Sequence, residues 1–326
     1  MKLKIWIFAL CFAPLALFAN DDDFDINKWN ATLHEVQSRA IAEGISPRVI
    51  NAVIQTGEFM PGVVRSDKNQ VEFKLTHAQY IARMITPERI TSGRRAKTQN
   101  AAMLRRVDAE YGVPPHVIAA FWGLESRYGE FKGSHKISDA YLSLIYDGRR
   151  GTFFGNQLMA LMKIADKNNL EIDDMRGSWA GAMGHFQFIP TTLQQYGVDG
   201  DGDGRIDIVN NFADASHSAG NYLSKLGWNK NERILRTVRV PTNFNLSWCD
   251  SRTKKTLNEW VAMGITNPDG SAIPRGTREA GMVCDEDSIT TTRTAYMVYD
   301  NFYRIKKWNN SNAYAVAIAL LSDQLR

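Results

Sequence analysis

Three short stretches carry side chains suited to chemistry. In GLESRYG, residues 123 to 129, one carboxylate, Glu125, follows Trp122, Phe121 and Ile118 at i−3, i−4 and i−7, the spacing that stacks side chains on one helix face. Apolar surroundings disfavour a charged carboxylate, so a Glu placed there is suited to holding and releasing a proton. The plain alternative is a helix-end Glu turned to water or paired with Arg127. In GSWAGAMGHFQFIP, residues 177 to 190, glycines and alanines let backbone approach a neighbour while Ser178, His185 and Gln187 offer polar contacts. A tightly packed helix crossing would use the same composition.

The third stretch is VDGDGDGRIDIVN. Asp199, Asp201 and Asp203 stand at loop positions 1, 3 and 5, Gly204 at 6, the Arg205 carbonyl at 7 and Asp207 at 9, which is EF-hand spacing. Alternating carboxylates repel one another without a cation, which favours Ca²⁺ over a solvated acidic turn. Position 12 holds Asn210 in place of the bidentate Glu, so binding is expected to be weaker unless Asp214 swings in. A lone loop of this kind reads as a staple, not a sensor. Other chemistries lack their residues: the six His are scattered without HExxH or CxxC spacing, no GxSxG elbow occurs, and the Gly-rich loop is acidic without the Lys a nucleotide site needs.

The elements that must position these residues read mostly as helices. VPPHVIAAFWGLES has Pro114 and Pro115 at a first turn and Gly129 just past its end. WNATLHEVQSRAIAEG stops at Gly44, SPRVINAVIQTG starts with Ser46 as a cap and Pro47, and QNAAMLRRVDAEYG ends at Gly112. SDKNQVEFKL and ITPERITSGRR read as connections. RILRTVRVPTNFNLSW alternates and NPDGSAIPRG is turn-rich, as small β elements are, and the tail from TTTRTAYMVYDNF onward returns to helix. The expected class is mainly α. Its parts are an N-terminal helical region over 20–112, a helical core over 113–230, a small β-containing insertion over 231–292, and C-terminal helices over 293–326 that complete the core.

The chain has 326 residues, 44% apolar and 23% charged, an ordinary globular balance. Residues 1–19 read as a secretory signal, with Lys2 and Lys4 before an apolar run and Ala19 at the cleavage position. Pro14 interrupts that run, and no later segment is apolar enough to span a membrane. Leu10 precedes Cys11 where lipid attachment wants a small residue, so a soluble exported protein is expected. Cleavage would leave 37 basic against 35 acidic residues, a charge of +2 that does not suggest nucleic acid. Cys249 and Cys284 remain, as a disulfide or as two separate thiols.

In this order the motifs resemble the B-type lytic murein transglycosylases. DKNQVEFKLTHAQYIARMITPERI, YGVPPHVIAAFWGLESRYG, GSWAGAMGHFQFIPTTLQQYGVDGDGDGRIDI, SAGNYLSKLGW and WNNSNAYAVAIALLSDQL all resemble that family, over most of residues 26 to 326. The resemblance implies a lysozyme-like helical core with a peptidoglycan groove. It implies cleavage of the MurNAc to GlcNAc β-1,4 bond without water, leaving a 1,6-anhydro sugar, with Glu125 as acid and base. Its sugar contacts fall on Ser178, Gln187, Arg149, Arg150, Tyr222, Asn309 and Tyr314, with Trp308 standing where relatives often have Tyr. Together with the leader over 1–19 and the acidic loop, the expectation is a periplasmic protein with glycan strands as partner, wall-synthesis or division proteins as further partners, and no cofactor for the chemistry beyond a structural Ca²⁺. Two other readings stay open: a true hydrolase with a second acid such as Asp139 or Asp147, and a catalytically silent peptidoglycan-binding scaffold.

Overall fold

The computed structural model describes residues 24–69 and 75–326, so the leader expected over 1–19 lies outside the described residues. Along the chain run α1 (Ile26–Ala42), α2 (Pro47–Gln55), α3 (Pro61–Lys68), α4 (His77–Met84), α5 (Pro87–Gln99), α6 (Ala101–Tyr111) and α7 (Pro115–Ser126). Then come β1 (His135–Lys136), α8 (Ile137–Asp147), α9 (Gly151–Lys167), β2 (Arg176–Gly177), α10 (Pro190–Tyr196) and α11 (Phe212–Lys225). The remainder is β3 (Leu235–Arg239), β4 (Lys255–Thr256), α12 (Leu257–Ala262), β5 (Glu279–Cys284), α13 (Glu286–Thr291), β6 (Thr294–Val298), α14 (Asp300–Trp308) and α15 (Asn312–Gln324). The expected mainly α class is the observed one, and its β elements are small antiparallel sheets. Among the described residues no helix is long and apolar enough to cross a membrane.

Local chemistry explains most boundaries. Asp25 caps α1 by accepting from the Asn27 and Lys28 N–H groups at 2.8 and 3.2 Å. Gly112 ends α6 and Gly148 ends α8, both at positive φ, where a side chain would be strained. ITPERITSGRR is not a connection but most of α5: Thr86 accepts from the Arg89 N–H at 3.2 Å and Pro87 occupies the first turn. Ser46 holds the N-cap position of α2 without capping it, since its Oγ donates to Asp166 at 2.6 Å instead.

Packing divides the chain into two units, each drawn from separated stretches. One contains residues 24–69 and 125–221. There α8 packs against α9, α3 and α1, and α9 against α10, around the fully buried Tyr141, Leu142, Phe154 and Leu158. The strands β1 and β2 form a two-stranded antiparallel ladder, His135 opposite Gly177.

The other contains residues 75–124 and 222–326. Here α15 packs against α4 and α14, and a four-stranded antiparallel sheet runs in the order β3-β6-β5-β4. The tail therefore does not return directly to helix, because Thr294–Val298 forms an inner strand of this sheet. The physical reason is period-2 burial: Ala295 and Met297 face the core and Thr294 and Tyr296 do not, as a strand requires. Trp260 is fully buried against this sheet and donates its indole N–H to the Ala280 carbonyl at 2.9 Å. Cys249 and Cys284 are joined in a disulfide, their Cα atoms 5.0 Å apart.

Candidate active site

Helix α7 ends in the residues that matter. The Pro114 carbonyl accepts from Val117 and Ile118 at 2.9 and 3.2 Å, which starts the helix without needing proline N–H groups. Every residue from Val117 to Ser126 is buried, so the apolar surface is not one stripe but the whole helix circumference. Small residues, Ala119, Ala120 and Gly123, alternate with bulky ones and allow neighbours on all sides. Glu125 is 9% exposed in the last turn. Arg127, Tyr128 and Gly129 then stand at φ 49°, 62° and 90°, three left-handed residues in succession, of which the first two are strained. Arg127 places its guanidinium over Phe131, 5.0 Å from the ring centroid.

A hydroxyl holds this turn. Ser126 Oγ donates to the His185 carbonyl at 2.7 Å and accepts from the Gly129 N–H at 3.0 Å. His185 belongs to the loop of residues 177–188, which folds back on itself through bridges of Gly177 to Met183 and Met183 to Phe188. Within it Ser178 N–H donates to the Ala182 carbonyl at 2.8 Å, and the Ala182 N–H donates to Ser178 Oγ at 3.1 Å. The glycines serve close approach: a Cβ on Gly181 would enter the Tyr141 ring, whose hydroxyl donates to the Gly181 carbonyl at 3.0 Å.

Gln187 stands at φ 49° and is 8% exposed. Its Nε2 donates to the Gly184 carbonyl at 3.0 Å and the Lys132 carbonyl at 3.3 Å, while its buried Oε1 has no hydrogen-bond partner among the described residues. Arg149 and Arg150 both close on Asp67, which is 1% exposed, and Arg150 also stacks over Phe154 at 4.8 Å. Glu125, Ser178, Gln187, Arg149 and Arg150 thus lie in one unit.

Tyr222, Trp308, Asn309 and Tyr314 lie in the other. Trp308 is the hub of an aromatic cluster, its ring 4.9 Å from Tyr222 and 4.7 Å from Phe121, with Tyr314 6.2 Å from Phe121. Asn309 ends α14, and its carbonyl accepts from the Ser311 N–H at 2.8 Å.

The two alternative acids are engaged elsewhere. Asp139 is 4% exposed, with Lys136 Nζ 3.3 Å away; burial pushes its carboxyl above the ordinary range and Lys136 opposes the shift. Asp147 pairs with Lys68 at 3.1 Å. Sequence reasoning missed Asp67, Ser126 and Lys132. Asp67 sits in a stretch read as a connection, and its arginines are 82 and 83 positions away, so nothing local marks the pair.

The acidic loop is preformed. Asp199 accepts from the Gly202 and Gly204 N–H groups at 2.6 and 2.7 Å, and oxygens of Asp199, Asp201 and Asp203 lie within 4.8 Å of one another. These hard oxygen donors, with the Arg205 carbonyl and Asp207, suit Ca²⁺. Asp214 is fully buried and spans the loop from behind, accepting from Gly200 N–H at 2.8 Å and Asp207 N–H at 2.7 Å. Burial raises its pKa.

The family of the transglycosylase SLT domain matches residues 28–323. The membrane-bound lytic murein transglycosylase B of Escherichia coli (strain K12) is 30% identical over 246 residues, 74% of this chain and 64% of that protein, so the match spans under two thirds of the relative. SltB3 of Pseudomonas aeruginosa in complex with NAG-anhNAM-pentapeptide superposes with a TM-score of 0.86 at 36% identity, over 91% of this chain and 79% of that one. The Escherichia coli lytic transglycosylase Slt35 in complex with calcium superposes with a TM-score of 0.79 at 26% identity, over 90% of this chain and 92% of that one.

Proposed function

Because the chain belongs to the family of the transglycosylase SLT domain, we propose that it is a lytic murein transglycosylase acting on peptidoglycan strands in the periplasm. The observation that carries this reading is Glu125, a buried carboxyl in the last turn of a helix buried all round. Desolvation and the negative end of the helix dipole both favour the protonated acid.

Glu125 gives its proton to the glycosidic oxygen as the C1–O bond breaks, and the acetamido group of the sugar stabilises the cation at C1. The Glu125 carboxylate then takes the proton of the C6 hydroxyl while O6 bonds to C1. One residue serves as acid and then base, and no water is consumed. Hydrolysis by two carboxylates would need a second free acid, whereas Asp139 and Asp147 each face a lysine.

Ser178 and Gln187 are assigned to orient the sugar and its N-acetyl group. Arg149, whose side chain is partly exposed beside Asp67, is assigned with Arg150 to anionic groups of the stem peptide or lactyl ether. Tyr222 and Trp308, both partly exposed, are assigned aromatic faces for sugar rings in their own unit, with Asn309 as a polar neighbour and the buried Tyr314, 3% exposed, as a support behind them. Asp199, Asp201, Asp203, Asp207 and the Arg205 carbonyl would hold a structural Ca²⁺, with Asp214 bracing the loop behind them; the ion would neutralise the loop and take no part in bond cleavage.

Digestion of purified peptidoglycan tests the reading. Muropeptides lighter by one water than their hydrolysed counterparts are expected from the wild type and none from Glu125→Gln, which should fold normally. Hydrated products would instead require a second acid. Sugar binding without turnover would leave a scaffold.

A further inference from the structure

Lys132 lies just past the GLESRYG stretch, outside the motifs read from the sequence. Its two ends meet different parts of the same unit. The ammonium donates to the Val209 carbonyl at 2.6 Å, at the exit of the acidic loop. The backbone carbonyl accepts from Gln187 Nε2 at 3.3 Å. Val209 N–H in turn donates to Asp207 Oδ1 at 3.0 Å, and His185 N–H to the neighbouring Ile208 carbonyl at 3.2 Å, so this segment of the acidic loop is tied to the loop carrying Gln187 at two points.

The amide of Gln187 can be oriented in only one sense. A primary amide has two donors on nitrogen and an acceptor on oxygen. Both near partners, the Lys132 and Gly184 carbonyls, are acceptors, so the NH₂ must face them and Oε1 must face away. Among the described residues Oε1 is buried without a hydrogen-bond partner, a cost that is relieved when a donor arrives. The backbone holds Gln187 at φ 49°, a conformation a non-glycine residue adopts at a cost.

Resting on the transglycosylase reading, we propose that Lys132 is a positioning residue that fixes Gln187 as an acceptor, so that Gln187 selects a sugar N–H or O–H and does not bind a substrate carbonyl. The acetamido N–H of a glycan is a donor of the required kind. Gln187→Glu would keep an acceptor but turn an anionic oxygen toward two carbonyls, and so is expected to lose the pose. Lys132→Arg keeps a cation able to reach the Val209 carbonyl, whereas Lys132→Met keeps the stem and loses the clamp.

The test is a double-mutant cycle read by binding, in chains that also carry Glu125→Gln so that turnover does not enter. Calorimetry would follow a short GlcNAc–MurNAc glycan. Loss of one neutral hydrogen bond corresponds to about a tenfold weaker Kd. Lys132→Met and Gln187→Met are each expected to weaken binding to this extent, the double variant no further than either, and Lys132→Arg to restore most of it. Additive losses, or a Lys132→Met chain that binds like its parent, would overturn the proposal. Thermal melting of each variant separates a local loss of pose from unfolding. Failure of the transglycosylase reading would appear separately, as absence of anhydro products from the wild type.

Discussion

Ser126 Oγ lies 2.7 Å from the carbonyl of His185, so one hydrogen bond joins the helix end that carries Glu125 to the loop that carries Gln187. The same oxygen accepts the Gly129 N–H and closes the left-handed turn after the helix. Ser126→Ala removes both bonds from a buried place. It is expected to destabilise the protein by about 1–3 kcal/mol in urea unfolding. Because the neighbouring residue is Glu125, kcat should fall by up to about a hundredfold with a smaller change in KM. A variant with normal kcat would show that the turn positions itself without the hydroxyl.

Calcium should raise the melting temperature of the wild type, and chelation should lower it. At a free concentration of about 100 times Kd the gain is about 2.7 kcal/mol. Asp201→Asn should abolish the calcium response while leaving the apo protein little changed, since Asp201 is exposed at the loop surface. Asp214→Ala should destabilise with or without calcium, because it removes the acceptor of the Gly200 and Asp207 N–H groups. No calcium-dependent shift in the wild type would reduce the loop to a solvated acidic turn.

Reduction of the Cys249–Cys284 bond, or the double change Cys249→Ala/Cys284→Ala, opens a loop of sequence separation 35. The chain-entropy relation gives about 4 kcal/mol as the stability at stake. The loss should appear as a lowered urea midpoint for the unit holding the four-stranded sheet. Trp260 is fully buried there but is one of eight tryptophans, so its fluorescence is read as the difference from a Trp260→Phe chain.

His116 gives the pH dependence a definite sign. Burial, with repulsion from Arg326 and Lys97, holds its imidazole down at about 4, against an ordinary value of 6.5. Above about pH 6.5 both folded and unfolded forms are neutral there. Between 6.5 and 4 the unfolded chain binds the proton and the folded chain does not, so stability falls as pH falls through this window and levels off below it. His116→Gln should lose less stability than the wild type between pH 7 and about pH 4.5 in paired urea titrations. Equal losses would assign the acid sensitivity to other groups.

What the sequence determined by itself is local. Pro47 and Pro115 at first turns and Gly112 past a helix end set boundaries because each acts on backbone groups within a few residues, whereas the same kind of signal in Thr86 and Pro87 is passed over when ITPERITSGRR is read as a connection. The acidic loop was legible for the same reason, since its spacing is its geometry. The strand Thr294–Val298 was read as helix because five residues of alternating burial carry little signal until neighbouring strands pair with them. Only the tertiary structure decided that Asp67 receives Arg149 and Arg150, that Cys249 meets Cys284, and that the Lys132 carbonyl receives the Gln187 amide. Those pairings join residues from 35 to 83 positions apart, and chain separation leaves no periodic trace for such contacts. Glu125 stands between the two cases: its apolar neighbours were visible in the sequence, but burial on every side from Val117 to Ser126 came from packing.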